Sequence, residues 1–326
     1  GPLSKAEYRS RLLSTDGEQK VVLEKAGLAL RYAFVSQRGF YPEDLHKENQ
    51  DAVCVYRRYG GDPNQLFFGV FDGHGQQGTS CAQFAKDQVP AMLLSNAHFS
   101  TDPVRAFRET MAECNEQLHA SSIEDGLSGT TAIACLVRGR TIYVANVGDS
   151  RAVLAERVDG QLIARPLSHD HTPFREDECE RVKQYGARIL TLDQLEGVKD
   201  PAVQCWSTEE EDDGDPPRLW APNALYPGTA FTRSIGDSLA EQIGVTAEPE
   251  VVTWTLSGDK TPLLIIASDG IFEFLQNQAV IQLASKYDDA QQSAIALVAE
   301  AYRLWLEVET RTDDITAIVI RIEELE

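Results

Sequence analysis

The stretch that most constrains this chain is Phe71-Asp72-Gly73-His74-Gly75, which follows the uncharged run Leu66-Phe67-Phe68-Gly69-Val70. The run reads as a buried strand, and glycines on both sides of a histidine let backbone approach a ligand closely where the strand ends. Alone, Asp-Gly is an ordinary turn pair. The pattern recurs, however. Pro262-Leu263-Leu264-Ile265-Ile266-Ala267-Ser268 ends in Asp269-Gly270, and Asp313-Asp314 comes just before Ile315-Thr316-Ala317-Ile318-Val319-Ile320. Carboxylates at the ends of strands far apart in sequence can converge at one end of a sheet. Crowded there, they repel one another unless a cation lies between them.

The remaining composition fits that reading. A formal net charge of -21 over 326 residues argues against nucleic acid or anionic membrane as the main partner. No uncharged run approaches the length of a bilayer span, and no signal-peptide pattern is present. The opening Gly-Pro-Leu-Ser resembles the scar of a cleaved expression tag. Cys54, Cys81, Cys114, Cys135, Cys179 and Cys205 show no paired spacing, and most have apolar neighbours. They read as reduced core thiols of a soluble cytoplasmic protein, with the nucleus also open, and they argue against zinc.

Residues 5–25 are charged and weakly helical, so residues 1–26 are expected to be scar plus an arm or leading helix, with one α+β domain over 27–326. Leu28 to Ser36 and Asp51 to Tyr56 read as strands around a polar loop. Cys81, Ala85, Val89 and Met92 share a helical face, as do Val104, Phe107, Met111, Cys114 and Leu118 behind an Asp102 cap. Short strands over 128–165 suggest an antiparallel meander, and Thr172-Pro173 suggests the start of a further helix. Residues 187–230 read as an irregular functional flap, in which the acidic run Glu209-Glu210-Glu211-Asp212-Asp213 is a solvated face. Strands near 251–256, 262–268 and 315–322, with two helices between the last two, complete the chain.

Aspartates without paired cysteines or clustered histidines select hard divalent ions, Mg²⁺ or Mn²⁺ ahead of Ca²⁺. A carboxylate between two such ions can bridge them, and a water they share becomes a hydroxide nucleophile near neutral pH. Phosphoryl transfer then needs only charge neutralisation, in-line attack and an acid for the leaving oxygen. His74, two residues from Asp72, is the natural acid.

Asn49-Gln50-Asp51-Ala52, Phe71-Asp72-Gly73-His74-Gly75, Ser128-Gly129-Thr130-Thr131-Ala132 and Asn146-Val147-Gly148-Asp149-Ser150-Arg151 recur in order with Asp170-His171-Thr172-Pro173, Thr232-Arg233-Ser234-Ile235-Gly236-Asp237, Ser268-Asp269-Gly270 and Asp313-Asp314-Ile315-Thr316. This set resembles the motifs of the metal-dependent type 2C serine/threonine protein phosphatases, the PPM family, over about residues 30 to 322. The resemblance implies a four-layer α-β-β-α sandwich of two antiparallel sheets flanked by helices. It also implies hydrolysis of phosphoserine and phosphothreonine in phosphoprotein substrates by a metal-bridging hydroxide, without a covalent phosphoenzyme, in a chain expected to be monomeric. Carried over, Asp72 bridges two ions, Asp269 and Asp314 complete the first, and the Gly73 carbonyl serves the second. Asp149, Asp269 and Glu273 match a third, weaker metal site. The segments Ser36-Gln37-Arg38-Gly39-Phe40-Tyr41-Pro42, Pro217-Arg218-Leu219-Trp220 and Tyr226-Pro227-Gly228-Thr229-Ala230-Phe231 are similar to a narrower plant group, in which the phosphatase is fused to cyclic-nucleotide-binding and kinase domains.

Two departures from the family pattern stand out. Gln50-Asp51 replaces the usual Glu-Asp, so the second metal relies on Asp51, directly or through water. His46 occupies the position of the arginine that grips phosphate, which leaves Arg38 and Lys47 as candidates to serve instead. These departures support the competing reading, a catalytically impaired member acting as a regulatory binding module; retention of Asp72, His74, Asp269 and Asp314 counts against it. Ser234 and Asp237 fall in the family's flap-anchoring segment and read equally well as a helix cap and turn.

Overall fold

The structure, a computed structural model, describes residues 4–204 and 215–326. Cys205 and the acidic run 209–213 lie outside the described residues. The chain begins with α1 (Lys5–Ser10), β1 (Leu12–Ser14) and β2 (Gln19–Leu23), and both strands pair with β3 (Leu28–Gln37). The expected N-terminal arm or helix is therefore helical only at its start. Val21 and Leu23 alternate into the core and draw this stretch into the sheet.

The antiparallel pair β4 (Asp51–Arg57) and β5 (Gln65–His74) comes next, then α2 (Gly78–Ser95) and α3 (Pro103–Ala120). Asp102 caps α3 by accepting from the Arg105 amide at 3.2 Å, and Pro103 opens its first turn. Five strands follow: β6 (Gly129–Thr130), β7 (Ala132–Arg138), β8 (Thr141–Val147), β9 (Arg151–Val158) and β10 (Gln161–Pro166). Next is α4 (Glu176–Gln184), and the flap carries β11 (Arg188–Leu190), α5 (Leu192–Leu195), β12 (Arg218–Trp220) and β13 (Pro227–Thr229). Then come β14 (Ile235–Gly236), α6 (Ser238–Glu241), β15 (Glu250–Thr255), β16 (Leu263–Ala267) and α7 (Asp269–Phe272). The chain closes with α8 (Asn277–Ser285), α9 (Ala290–Val308) and β17 (Ile315–Glu324).

All of these strands except β11, β12 and β13 form two seven-stranded antiparallel sheets, as expected. One runs β1-β3-β17-β16-β9-β10 with β2 also on β3; the other runs β14-β6-β5-β7-β8-β15 with β4 on β5. Period-two alternation builds the layers. Leu66, Phe68 and Val70 of β5 face the opposite sheet, where they meet Leu30, Ile266, Ile318 and Ile320. Phe67 and Phe71 face the other way, onto Val89, Phe107, Met111 and Leu118 of α2 and α3. On the outer face of the first sheet, Val35, Ile265 and Val319 pack against Val280, Leu297 and Val298 of α8 and α9. Each such side chain contributes about 1.5–3 kcal/mol on burial. The three apolar layers give the fold the reserve to carry unfavourable groups at its edge.

Three local expectations change. The 128–165 strands are not one meander: β8 belongs to one sheet and β9 to the other, so the chain crosses between them at Gly148-Asp149-Ser150. The helix expected from Thr172 starts only at Glu176, because the Arg175 amide closes a turn onto the Thr172 carbonyl at 3.1 Å. Among the described residues of the flap, β11, β12 and β13 form a small sheet rather than irregular chain. Cys81, Cys114 and Cys135 are buried free thiols, whereas the free thiol of Cys54 is only half-buried. Among the described residues no helix is long and apolar enough to cross a membrane.

Candidate active site

Strand registers bring the acids together. In the first sheet Gln37 at the end of β3 lies opposite Ile315 at the start of β17, and Ala267 at the end of β16 lies opposite both Ala317 and Arg151. In the second sheet Asp51, which opens β4, lies directly across from Asp72 near the end of β5. The two rims meet where the chain crosses at Asp149. Carboxylate oxygens of Asp72, Asp149 and Asp269, all half-buried, consequently lie within 4.8 Å of one another.

This packing is electrostatically unfavourable as it stands, since like charges directly across a strand pair destabilise it. Burial, then the charges of Asp51 and Asp269, raise the pKa of Asp72 well above the usual carboxylate range. Burial, then Asp149 and Asp313, do the same to Asp269. Asp149 is pushed up to about 7 by burial and by Asp170, and Asp51 to about 8 by burial and by Asp314 and Asp313. Asp51 also accepts from the hydroxyls of Ser268 (2.9 Å) and Thr316 (2.7 Å) through Oδ2. Its Oδ1 and the Oδ1 of Asp269 are buried acceptors with no hydrogen-bond partner among the described residues. An unmade bond at such an atom costs about 1–3 kcal/mol. An all-oxygen cluster with unmade bonds, open to solvent on one side, suits hard divalent cations.

The neighbouring Asp-Asp pair divides its work differently from the expectation. Both oxygens of Asp314 are taken by backbone, Oδ1 by the Gly39 amide (2.7 Å) and Oδ2 by the Gln50 amide (2.9 Å). Asp314 thus fastens the 38–50 loop, while it is the charge of Asp313 that bears on Asp269, Asp72 and Asp149. Both residues precede β17 and lie outside its alternation, and each bears on a different neighbour: Asp313 on Asp269, and Asp314 foremost on Asp51. Glu273 lies one helical turn beyond Asp269, its amide bonded to the Asp269 carbonyl at 2.9 Å, and is exposed outside the three-acid group.

Gly73 is required by close approach: a Cβ there would stand 2.1 Å from the Gly78 carbonyl oxygen. Gln50 clasps this segment, accepting from the Gly73 amide (3.0 Å) and donating from its side chain to the Gly75 carbonyl (2.8 Å). On the other flank of Gly75, His46, Lys47, Asp44 and Glu48 line a groove of about 330 Å³. The Lys47 ammonium rests 4.0 Å from the centre of the Tyr41 ring. Burial raises the pKa values of both Asp313 and Asp314, and the Lys47 charge opposes part of that rise. His46 is exposed, its amide bonded to Asp44. Arg38 lies beside Arg11, whose guanidinium is buried and donates to the Gly39 and Leu45 carbonyls. Arg11, placed in the arm by the sequence reading, is therefore a brace for this loop. Arg311 is another cation that reading passed over. It is exposed two residues before Asp313, with its guanidinium 5.5 Å from the Trp305 ring.

His74 is held quite differently from the acids. Its Nε2 lies 2.6 Å from Asp237 Oδ2, and its ring stacks obliquely on Phe231 with centroids 4.4 Å apart. Burial disfavours the charged imidazole, but the Asp237 carboxylate outweighs it and the pKa is raised overall. The same Asp237 oxygen accepts from the Ser234 hydroxyl at 2.6 Å.

Sequence and fold comparisons bear on this arrangement. The profile of the family described as Protein phosphatase 2C matches residues 40–308. The chain belongs to the protein phosphatase 2C family. Membership carries with it the expected enzyme class, a serine/threonine protein phosphatase. The phosphatase is 54% identical over 294 residues to probable protein phosphatase 2C 35 of Arabidopsis thaliana, covering 90% of this chain and 84% of that one. It is 33% identical over 266 residues to probable protein phosphatase 2C 64 of Oryza sativa subsp. japonica, covering 79% of this chain and 58% of the rice protein. Its fold is similar to the crystal structure of a serine-threonine phosphatase 2C from Toxoplasma gondii, with a TM-score of 0.76 at 16% identity over 96% of this chain and 99% of that one.

Proposed function

We propose that this phosphatase hydrolyses phosphoserine and phosphothreonine on proteins at the acidic rim, with water as the nucleophile and no phosphoenzyme. The observation that carries the reading is the convergence of Asp72, Asp149 and Asp269 within 4.8 Å, with a bonding oxygen of Asp269 left unused. Asp72, Asp269, the Gly73 carbonyl and Asp313, in place of Asp314, would hold two Mg²⁺ or Mn²⁺ ions, Asp51 would support the second, and Asp149 with Glu273 a third. Divalent ions there supply charge neutralisation for the phosphoryl oxygens and acidify water.

The chain's own groups do the rest. Lys47, a point charge at the edge of the cluster, orients the incoming phosphate, with His46 beside it and Arg38 further back on the same loop. His74 delivers a proton to the serine or threonine oxygen as it leaves. Fusion to cyclic-nucleotide-binding and kinase domains rests on the loop and flap segments alone, and the plant relatives' names state only a phosphatase.

The test is turnover of p-nitrophenyl phosphate with Mn²⁺ and with chelator. Turnover that appears with Mn²⁺ and vanishes with chelator supports the reading; no turnover under either condition favours a binding module instead.

A further inference from the structure

The segment that holds His74 is built with more care than a turn requires. Asp237 has a left-handed backbone, φ 50° and ψ 52°, an uncommon conformation for a residue with a side chain. Its amide donates to the Ser128 carbonyl at 2.9 Å, and β14 just before it pairs with β6, placing Gly236 opposite Gly129. A Cβ at Gly129 would stand 2.1 Å from Asp237 Oδ2, so the glycine leaves room for that carboxylate. Beyond Asp237 the fastening continues. The amides of Ser238 and Leu239 donate to the carbonyls of Asp125 and Gly126, and Glu241 is bound by Asn115 (2.6 Å) and His119 (2.7 Å) from α3. His119 also contacts Asp125 through its other ring nitrogen. Everything around Asp237 is tied down, and what it presents from that frame is one carboxylate oxygen shared by Ser234 and His74.

We propose that Asp237 is the positioning residue for His74, fixing the imidazole plane against Phe231 so that the acid meets the leaving oxygen, with Ser234 steadying the carboxylate. A carboxylate on one ring nitrogen sets the orientation of an imidazole, and a small misplacement of an acid is felt most where the leaving group most needs its proton. This inference rests on the phosphatase reading above.

The experiment compares Asp237→Asn, Ser234→Ala, His74→Gln and the double variant Asp237→Asn/His74→Gln in Mn²⁺. Substrates are a phosphothreonine peptide, whose alkoxide leaves poorly, and p-nitrophenyl phosphate, whose phenolate leaves well. For Asp237→Asn the expected result is a kcat loss of ~10²-fold on the peptide and only a few-fold on the aryl ester, with KM unchanged. Ser234→Ala shows the same split at smaller amplitude, and the double variant is no slower on peptide than His74→Gln. Equal losses on both substrates, or losses that multiply in the double variant, overturn the proposal. Should Asp237→Asn fail to fold, Ser234→Ala decides by the same split. An ¹⁵N spectrum of the His74 ring gives a readout independent of turnover: the Nε2 resonance shifts in Asp237→Asn if the pairing exists and stays put if it does not. Absence of Mn²⁺-dependent turnover in the unmodified protein sinks the phosphatase reading itself, an outcome distinct from loss of the substrate split in an active enzyme.

Discussion

Two regions meet at the rim, and they are built on opposite principles. Around His74 the polar groups are matched: Asp237 receives two hydrogen bonds, and the segment carrying it is tied at several further points. Among Asp72, Asp149 and Asp269 charges of one sign are packed together, and an oxygen of Asp269 bonds to nothing among the described residues. A matched cradle is preorganised. An unmatched cluster is incomplete, and the core layers of Phe67, Phe68, Ile266 and Ile320 tolerate its cost until a counterion arrives. The comparison teaches where function resides in each half: in geometry for the histidine, in charge for the acids.

The harshest way to break the comparison is Asp72→Asn. Turnover should fall by at least ~10³-fold, about 4 kcal/mol in the barrier, while metal-free stability holds or rises by about 1 kcal/mol, roughly 1–2 °C in Tm for a chain of this length. Activity near that of the unmodified protein, or a collapse in Tm, would contradict the picture of a strained, functional cluster.

A second, smaller effect concerns pH. The folded-state pKa values of Asp51 and Asp149 are raised to about 8 and about 7, against about 3.9 in an unfolded chain. Between about pH 4 and 8 the folded protein therefore holds protons that the unfolded chain has released, so metal-free stability falls as pH climbs through that window. Mn²⁺ should offset the loss, raising Tm by several degrees more near pH 8 than near pH 5.5. A Tm increment independent of pH would show that the acids are not what the ion binds.

The smallest effect sharpens the other side. Burial disfavours the charged form of His119, but Glu241 and Asp125 outweigh it and the pKa is raised. Its stabilisation is thus full below the unfolded value near 6.5 and lost as pH rises through the higher folded one. His119→Gln should lower stability by ~1 kcal/mol or less at low pH and by less still above neutrality. A deficit that grows with pH would mean the clasp has the wrong sign.

Much of this was legible in the chain. Runs such as Leu66–Val70 and Leu263–Ala267 announced doubly buried strands, and the stripe Val104, Phe107, Met111 on α3 announced its packed face, because periodicity reports burial directly. The convergence of Asp72 with Asp269 was readable because each follows such a run. That Asp314 is the one bonded to the Gly39 and Gln50 amides is not legible in the chain, because it depends on how the approach to β17 lies against the loop that follows β3. The role of Arg11 was hidden for a similar reason, since β1 joins the sheet only through partners more than twenty residues away. Asp237 lay inside a quoted motif, yet Ile-Gly-Asp before a short helix looks the same whether the aspartate caps a turn or reaches across to a histidine.

The most direct test of the central claim is an anomalous difference map from crystals of the unmodified protein grown with Mn²⁺. Peaks lying between Asp72, Asp269 and Asp313, with Asp314 still bonded to the Gly39 and Gln50 amides, are the predicted result. A map with no density at that rim, or with manganese bound only at surface acids elsewhere, would contradict it.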